Sequence, residues 1–197
     1  LVLSLFEKGI NSTDDEKNVD VDMLGFIAVP YDNGQYSVHM NYAKAWNLIG
    51  FDNQSLGDFN TAYGAYTSSP NANTAYNLQI ATPEFKDVGD IDFATVLFKT
   101  EGIGNGISNY LDNSIAFASF AASKTKPNDK GMLGSTDSET GTSVWLGVNA
   151  PCPILPDSAK IGLEWNKGSK YWRSMTYGED TYAGSKIATR GQAWEVY

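Results

Sequence analysis

The part of the sequence with the most unusual side-chain chemistry runs from Gly168 to Gly191, where basic, aromatic and small residues are mixed. Residues 160–190 carry a net charge of +3, with six basic side chains against three acidic ones, whereas the whole chain carries −9. Cations gathered at a narrow point of a pore bias it towards anions. We therefore predict a pore constriction or mouth formed by Lys170, Arg173, Lys186 and Arg190. The alternative is an ordinary outer loop whose cations meet acidic loops or lipid phosphates.

The single histidine, His39, is the other group with obvious acid–base chemistry. Ser37 and Asn41 lie two residues to either side of it, so in a strand all three side chains share one face. A hydrolase would need the serine hydroxyl to contact the imidazole. Side chains two residues apart are separated by about 6.6 Å along a strand, which is too far for a direct hydrogen bond. We predict that these three residues line a polar lumen; a barrel enzyme built around His39 is the alternative.

Metal and cofactor motifs are lacking in the sequence. The acidic loop at 11–18 does not have the spacing of a calcium-binding EF-hand. A glycine run that begins at Gly102 imitates a dinucleotide signature, but Ile107 occupies the place of its third glycine. Cys152, between two prolines, is interpreted as an unreactive turn residue. We therefore expect no metal, no cofactor and no catalytic residues, and we predict that the protein is not an enzyme.

A long β-hairpin predicted over residues 20–48 has to position the polar lumen residues. Asn-Gly at 33–34 is a strong signal for a two-residue turn. That turn places Tyr31 opposite Tyr36 and leaves one face apolar over about ten residue steps, roughly 33 Å. Tyr31 and Tyr36 lie at one end of this face and Trp46 at the other. Aromatic side chains at both edges of an apolar band are typical of membrane interfaces.

The rest of the chain shows alternating segments separated by polar connections, without convincing helical periodicity. Residues 50–73 and 124–141 are predicted to be loops. In the last predicted strand, Glu164 and Asn166 share the face opposite Leu163 and are expected to line the lumen. Further strands are predicted at 1–6, 74–82, 91–97, 115–122, 144–148 and 161–165.

Charge and hydropathy restrict the possible surroundings of the protein. A net charge of −9 argues against nucleic acid as a partner, since such proteins need a basic surface. Apolar runs long enough for a membrane helix are absent from the sequence. A barrel strand exposes only every second residue to lipid, so the mean hydropathy of −0.31 is compatible with a membrane β-barrel.

The residues from Ile161 to Trp172, followed by Met175–Asp180 and Gly184–Gly191, resemble the C-terminal part of an uncharacterised bacterial family. Its members are regarded as porin-like outer-membrane β-barrels and are longer than this sequence. The resemblance covers mainly the last third of the chain, from Val144 onward. It implies an exported barrel inserted in a membrane, and it brings no catalytic residues.

Together, these patterns predict an all-β fold in which residues 1–197 form one segment of an antiparallel transmembrane β-barrel, truncated at both ends. A soluble β-sandwich is the alternative fold. The predicted function is a porin-like channel of the bacterial outer membrane for small polar solutes. Its surroundings would be the lipid bilayer and lipopolysaccharide, and homo-oligomers are left open. Two further alternatives are a secreted or surface sandwich that binds carbohydrate through Tyr and Asn of 50–73, and a surface protein that uses the barrel only as an anchor.

Overall fold

Antiparallel β-structure dominates the computed structural model, which describes residues 2–6, 21–51, 53–81, 85–128, 133, 135–155, 159–174 and 186–197. Eight strands form one sheet in the order β1-β2-β3-β6-β7-β8-β9-β10, and β4 pairs with β5 in a small second sheet. The strands are β1 Val2–Phe6, β2 Asp22–Asp32, β3 Tyr36–Trp46, β4 Ile49–Phe51, β5 Phe85–Asp87, β6 Gly89–Glu101, β7 Ile115–Pro127, β8 Thr140–Pro151, β9 Lys160–Gly168 and β10 Gly191–Val196. The helices are α1 Asn53–Ser68, α2 Ala72–Ile80, α3 Asn109–Asp112 and a 3-10 turn at Lys186–Ala188.

The strands of the main sheet are long. β2 and β3 have 11 residues each, and β6 and β7 have 13, whereas ordinary strands have about 5–6. β1 and β10 form the two edges of this sheet in the described part of the chain. The predictions of an all-β fold and of strands at 1–6, 91–97, 115–122, 144–148 and 161–165 are thereby confirmed.

The hairpin turn lies one residue later than the sequence predicted. The backbone N–H of Asn33 donates to the carbonyl of Tyr36 at 3.1 Å, so Gly34 and Gln35 are the two turn residues. Asn33 Oδ1 accepts hydrogen bonds from the N–H groups of Gln35 and Tyr36 at 3.0 and 2.7 Å. Of these two turn residues, only Gly34 takes a positive φ, +85°. Asn33 therefore contributes its side chain to the turn, not a left-handed backbone.

A β-bulge shifts the register of the hairpin further. Tyr31 faces Val38, and not Tyr36 as predicted, while Ala28 faces Met40. Two residues of β2, 29–30, therefore match one residue of β3. A proline in this segment fits a bulge, because a proline cannot donate to the ladder.

This register changes which residues of β2 belong to the apolar face. The sequence placed Met23 and Ile27 there, but Leu24 and Phe26 share a face with Tyr42. The remaining pairings extend this surface, the outer face, over β10. Its residues include Leu24, Phe26, Ala28, Val38, Met40, Tyr42, Ala94, Val96, Phe98, Ala118, Phe120, Val144, Leu146, Val148, Leu163, Trp165, Trp194 and Val196. The inner face includes Met23, Gly25, Ile27, Ser37, His39, Asn41, Ala43, Phe93, Thr95, Ser119, Ala121, Ser143, Trp145, Glu164 and Asn166.

Two helices occupy the connection that was predicted to hold a loop at 50–73 and a strand at 74–82. α2 begins with a capping box, in which Asn71 Oδ1 accepts from the Thr74 N–H at 3.1 Å and Thr74 Oγ1 accepts from the Asn71 N–H at 3.0 Å. α2 has no buried residue, so no apolar stripe marks it in the sequence. None of the described helices is long and apolar enough to cross a membrane.

The backbone conformations of Gly34, in the turn, and Gly57, in α1, predict different effects when each is replaced by alanine. Gly34→Ala should lower the free energy of unfolding by about 1 kcal/mol, because a Cβ is strained at positive φ. Gly57→Ala should leave it unchanged or raise it by about 0.5–1 kcal/mol, because Gly57 lies within α1 with open space around it. Chemical denaturation followed by circular dichroism measures both. Equal effects at the two positions would contradict the turn described above.

Candidate functional site

The inner face of the sheet borders a cavity of about 460 Å³. Side chains of β2, β3, β6, β7, β8 and β9 line it, together with residues of the connection that follows β9. These include Ile27, Asn41, Ala43, Phe93, Thr95, Ser119, Ala121, Ser143, Trp145, Asn166, Trp172 and Ile187. The cavity is therefore built by alternate residues of the strands on one side and by a chain segment on the other.

Residues 169–174 and 186–190 are called the inner segment, which contributes Trp172, Ser174 and Ile187 to the wall of the cavity. Its anchor is Trp172, which is 6% exposed and donates its indole N–H to the carbonyl of Ile187 at 2.7 Å. The backbone N–H of Arg173 donates to Ser123 Oγ of β7 at 3.1 Å. These contacts fix both parts of the inner segment against the inner face.

Two glycines allow the inner segment to approach the sheet closely. A Cβ on Gly141 would collide with the backbone of Tyr171 and Trp172. A Cβ on Gly168 would collide with the carbonyl of Thr189. Any other residue at these positions would therefore push the inner segment off the sheet.

Glu164 ties the inner segment to β8, β9 and the residue that follows β10. It is 7% exposed and accepts hydrogen bonds from Trp145 Nε1 at 2.8 Å and Tyr197 Oη at 3.0 Å. Lys186 Nζ lies 2.8 Å from Glu164 Oε2 and also contacts Glu195. Partial burial acts to lower the pKa of Lys186, but the hydrogen bonds and charges of Glu164 and Glu195 outweigh it and raise that pKa. Lys186 therefore keeps its positive charge, which the two carboxylates neutralise, and its role is structural.

The four cations predicted to form a constriction lie in different surroundings. Lys186 is paired with carboxylates, and Lys170 is exposed, 4.7 Å from the ring centre of Tyr171. Burial and the positive charge of Arg190 lower the pKa of Arg173. Within the described residues, neither arginine forms an ion pair. Among the described residues, Lys186 is therefore the one member of the predicted set with a carboxylate partner, and Lys170, Arg173 and Arg190 form no ion pair there.

The predicted lumen residues all lie on the inner face, and their role in a pore stays a prediction. Asn41 and Asn166 line the cavity. His39 Nε2 lies 3.0 Å from Ser37 Oγ, so the expectation that these side chains are too far apart for a hydrogen bond was wrong. The imidazole is long enough to lean along the strand towards the hydroxyl.

Asn166 is the buried polar group with an incomplete set of partners. It is 2% exposed, and its Nδ2 donates to Ser143 Oγ at 3.3 Å. Among the residues that the structure describes, its Oδ1 has no hydrogen-bond partner. Alternation along β9 predicted the inward position of Asn166 and of Glu164. The contact with Lys186 was missed, because no local pattern brings residues so distant in sequence together.

The predicted interface aromatics lie at the two ends of the β2–β3 hairpin. Tyr31 and Tyr36, near the turn, are 49% and 42% exposed. Trp46, at the opposite end of β3, has Lys44 Nζ at 4.9 Å from its ring centre. An aromatic ring with a polar end suits a boundary between apolar and aqueous surroundings.

In the described part of the chain, no cluster of three or more His, Cys, Asp or Glu side chains is arranged to hold a metal ion. The acidic loop at 11–18 lies outside that part. Cys152 is a free, partly buried thiol.

One family model, described as a protein of unknown function (DUF3373), matches residues 4–197. The match extends far beyond the last third of the chain, on which the sequence resemblance rested. No curated protein and no solved structure matches the chain.

The environment of Glu164 predicts unequal effects for removing the two negative charges around Lys186. Glu164→Gln should lower the free energy of unfolding by about 1–3 kcal/mol, because it breaks a buried hydrogen-bonded ion pair. Glu195→Gln is the matched control, since the side chain of Glu195 is 45% exposed, and should cost less than about 1 kcal/mol. Denaturation curves of the two variants measure the loss of unfolding free energy in each. Equal losses would contradict the central role of Glu164.

Proposed function

The chain belongs to DUF3373, a family described only as of unknown function, and we propose that it forms part of an outer-membrane β-barrel through whose lumen small solutes pass. The function is a passive, porin-like one. The inner face lines the lumen, the inner segment narrows it, and the outer face contacts lipid.

The observation that carries this proposal is the apolar band of the outer face, which runs from β2 to β8 and ends at Lys167 on β9. Phe98 and Phe120, on the central strands β6 and β7, are 48% and 50% exposed. Charged residues lie at one edge of the band, where Lys44, Asp92 and Lys124 are neighbours across three strands. Monomeric soluble proteins rarely expose apolar patches above a few hundred Å². A surface of this extent therefore needs an apolar environment.

The height of the band supports a bilayer as that environment. From Lys44 to Tyr36, β3 covers eight residue steps, or about 26 Å along the strand. At a tilt of about 40°, this corresponds to roughly 20 Å, close to the apolar band of about 25 Å on transmembrane barrels.

In the alternative fold, a β-sandwich, a second sheet would pack on the outer face. In the described residues, the only other sheet consists of β4 and β5, with three residues each. α1 packs against α2, and α2 buries no residue. Neither unit is built to cover the outer face, which favours the barrel.

The lengths of the connections suggest an orientation. The long connections 47–88 and 169–190 lie at the same end of the sheet, whereas the short turn 33–35 lies at the other. Barrels of the outer membrane have their longer loops on the outside. The charged edge at Lys44 and Lys124 lies at the long-loop end, where its lysines can meet lipopolysaccharide phosphates.

Membrane insertion is tested by charge at two depths of the outer face. Val96→Arg, in the middle of the band, should make the free energy of folding into vesicles less favourable by roughly 2–4 kcal/mol. Thr140→Arg, beside Lys124 at the edge, should make it less favourable by only about 0–1 kcal/mol. The measurement is the fraction of full-length protein with heat-modifiable gel migration. Equal tolerance of both substitutions would argue against contact with lipid.

Ion selectivity tests the lumen. Arg173→Glu should shift the reversal potential in a planar bilayer towards cations, because it reverses an unpaired charge of the inner segment. Lys167→Glu changes the net charge equally, but Lys167 lies on the outer face opposite Val144, so this variant should behave like the wild type. An unchanged potential for Arg173→Glu would remove this residue from the pore. Absence of any conductance from folded wild-type protein would refute the proposed function.

A further inference from the structure

The cavity beneath the inner segment has a mainly apolar wall. Ile27, Phe93, Ala121, Trp172 and Ile187 contribute to it. Ligand sites commonly enclose about 300–1,000 Å³, and an apolar cavity of about 150 Å³ already binds benzene. The volume of about 460 Å³ therefore accommodates a molecule of two or three fused rings.

Charged ligands do not suit this wall. None of the described residues that line the cavity is ionisable except Tyr42. The two indole N–H groups are already used, since that of Trp145 donates to Glu164 and that of Trp172 donates to Ile187. An ion placed here would lose its hydration without gaining an opposite charge. The cavity thus differs from the surroundings of Arg173.

One polar atom of the wall still lacks a partner. Asn166 is 98% buried, and the donation from its Nδ2 to Ser143 Oγ leaves Oδ1 as the free acceptor among the described residues. A buried acceptor without a donor costs free energy, which a ligand with an O–H or N–H group recovers. The hydroxyls of Thr95 and Ser119 add weak polarity elsewhere on the same wall.

We propose that this cavity binds an uncharged, mainly apolar molecule of fused-ring size, and that the Asn166 amide, whose Oδ1 is buried beside the cavity wall, turns to accept one hydrogen bond from it. Phenols and ring alcohols are the chemical class. The inference builds on the proposed function, because it names the class of solute that binds in the lumen. It restricts the small polar solutes expected from the sequence to weakly polar ring compounds.

The test compares 1-naphthol with 1-methoxynaphthalene, which has similar shape but no donor, on the folded full-length protein in detergent. Quenching of tryptophan fluorescence reports binding, since Trp145 and Trp172 line the cavity. Wild-type protein should bind 1-naphthol about tenfold more tightly, the value of one hydrogen bond to a buried acceptor. Equal affinity for the two compounds, or saturable binding of neither, would overturn the proposal.

Three variants locate the binding. Asn166→Leu should remove the preference for 1-naphthol, while Ala121→Leu should weaken both compounds by filling the cavity. Ala118→Leu adds the same side chain to the outer face of the same strand and should change neither, which separates cavity binding from partition into the detergent. Gel migration before and after heating verifies folding. A preference that survives Asn166→Leu would place the donor contact elsewhere and overturn the assignment.

The ligand site and the channel can be refuted separately, because one experiment measures binding and the other measures conductance. A protein that conducts ions but binds neither naphthalene refutes the ligand site and leaves the channel intact. A protein that shows the 1-naphthol preference without conductance supports the site and refutes the channel.

Discussion

The structure depends on the division of a single sheet into two faces of different chemistry. From β3 to β9 the strands pair with their neighbours over most of their length, so most of their backbone N–H and C=O groups are satisfied by the ladder. Only side chains then distinguish the faces. Large apolar residues such as Phe98 and Leu146 fill one face, whereas Ser119, Ser143 and Asn166 lie on the other. This division makes both an apolar exterior and a cavity possible in the same layer.

The inner segment is held by shape and by charge together. Gly141 and Gly168 leave room for its backbone, and Trp172 fills the space above them. Glu164 and Lys186 then tie the second half of the segment to β9. A buried ion pair of this kind contributes little net stability compared with apolar packing, but it fixes one arrangement of the chain. The cavity owes its defined wall to that fixed arrangement.

Alternation made most of this fold predictable from the sequence. The strands from β6 to β9 and the inward position of Glu164 and Asn166 follow directly from a period of two. The hairpin register did not, because Asn33 uses its side chain in the turn and a bulge adds a residue to β2. The helices α1 and α2 were missed because none of their described side chains is buried, so no apolar stripe marks them. The partner of Glu164 could not be inferred, because tertiary contacts across a connection leave no local pattern.

The docking of the inner segment around Trp172 depends on three strands at once. The backbone N–H of Arg173 donates to Ser123 on β7, and Trp172 lies over Gly141 on β8 and Gly168 on β9. These positions have their observed spacing only where β7, β8 and β9 are paired. The part of the cavity wall that Trp172 contributes therefore depends on all three strands, and unpairing any one of them would remove it.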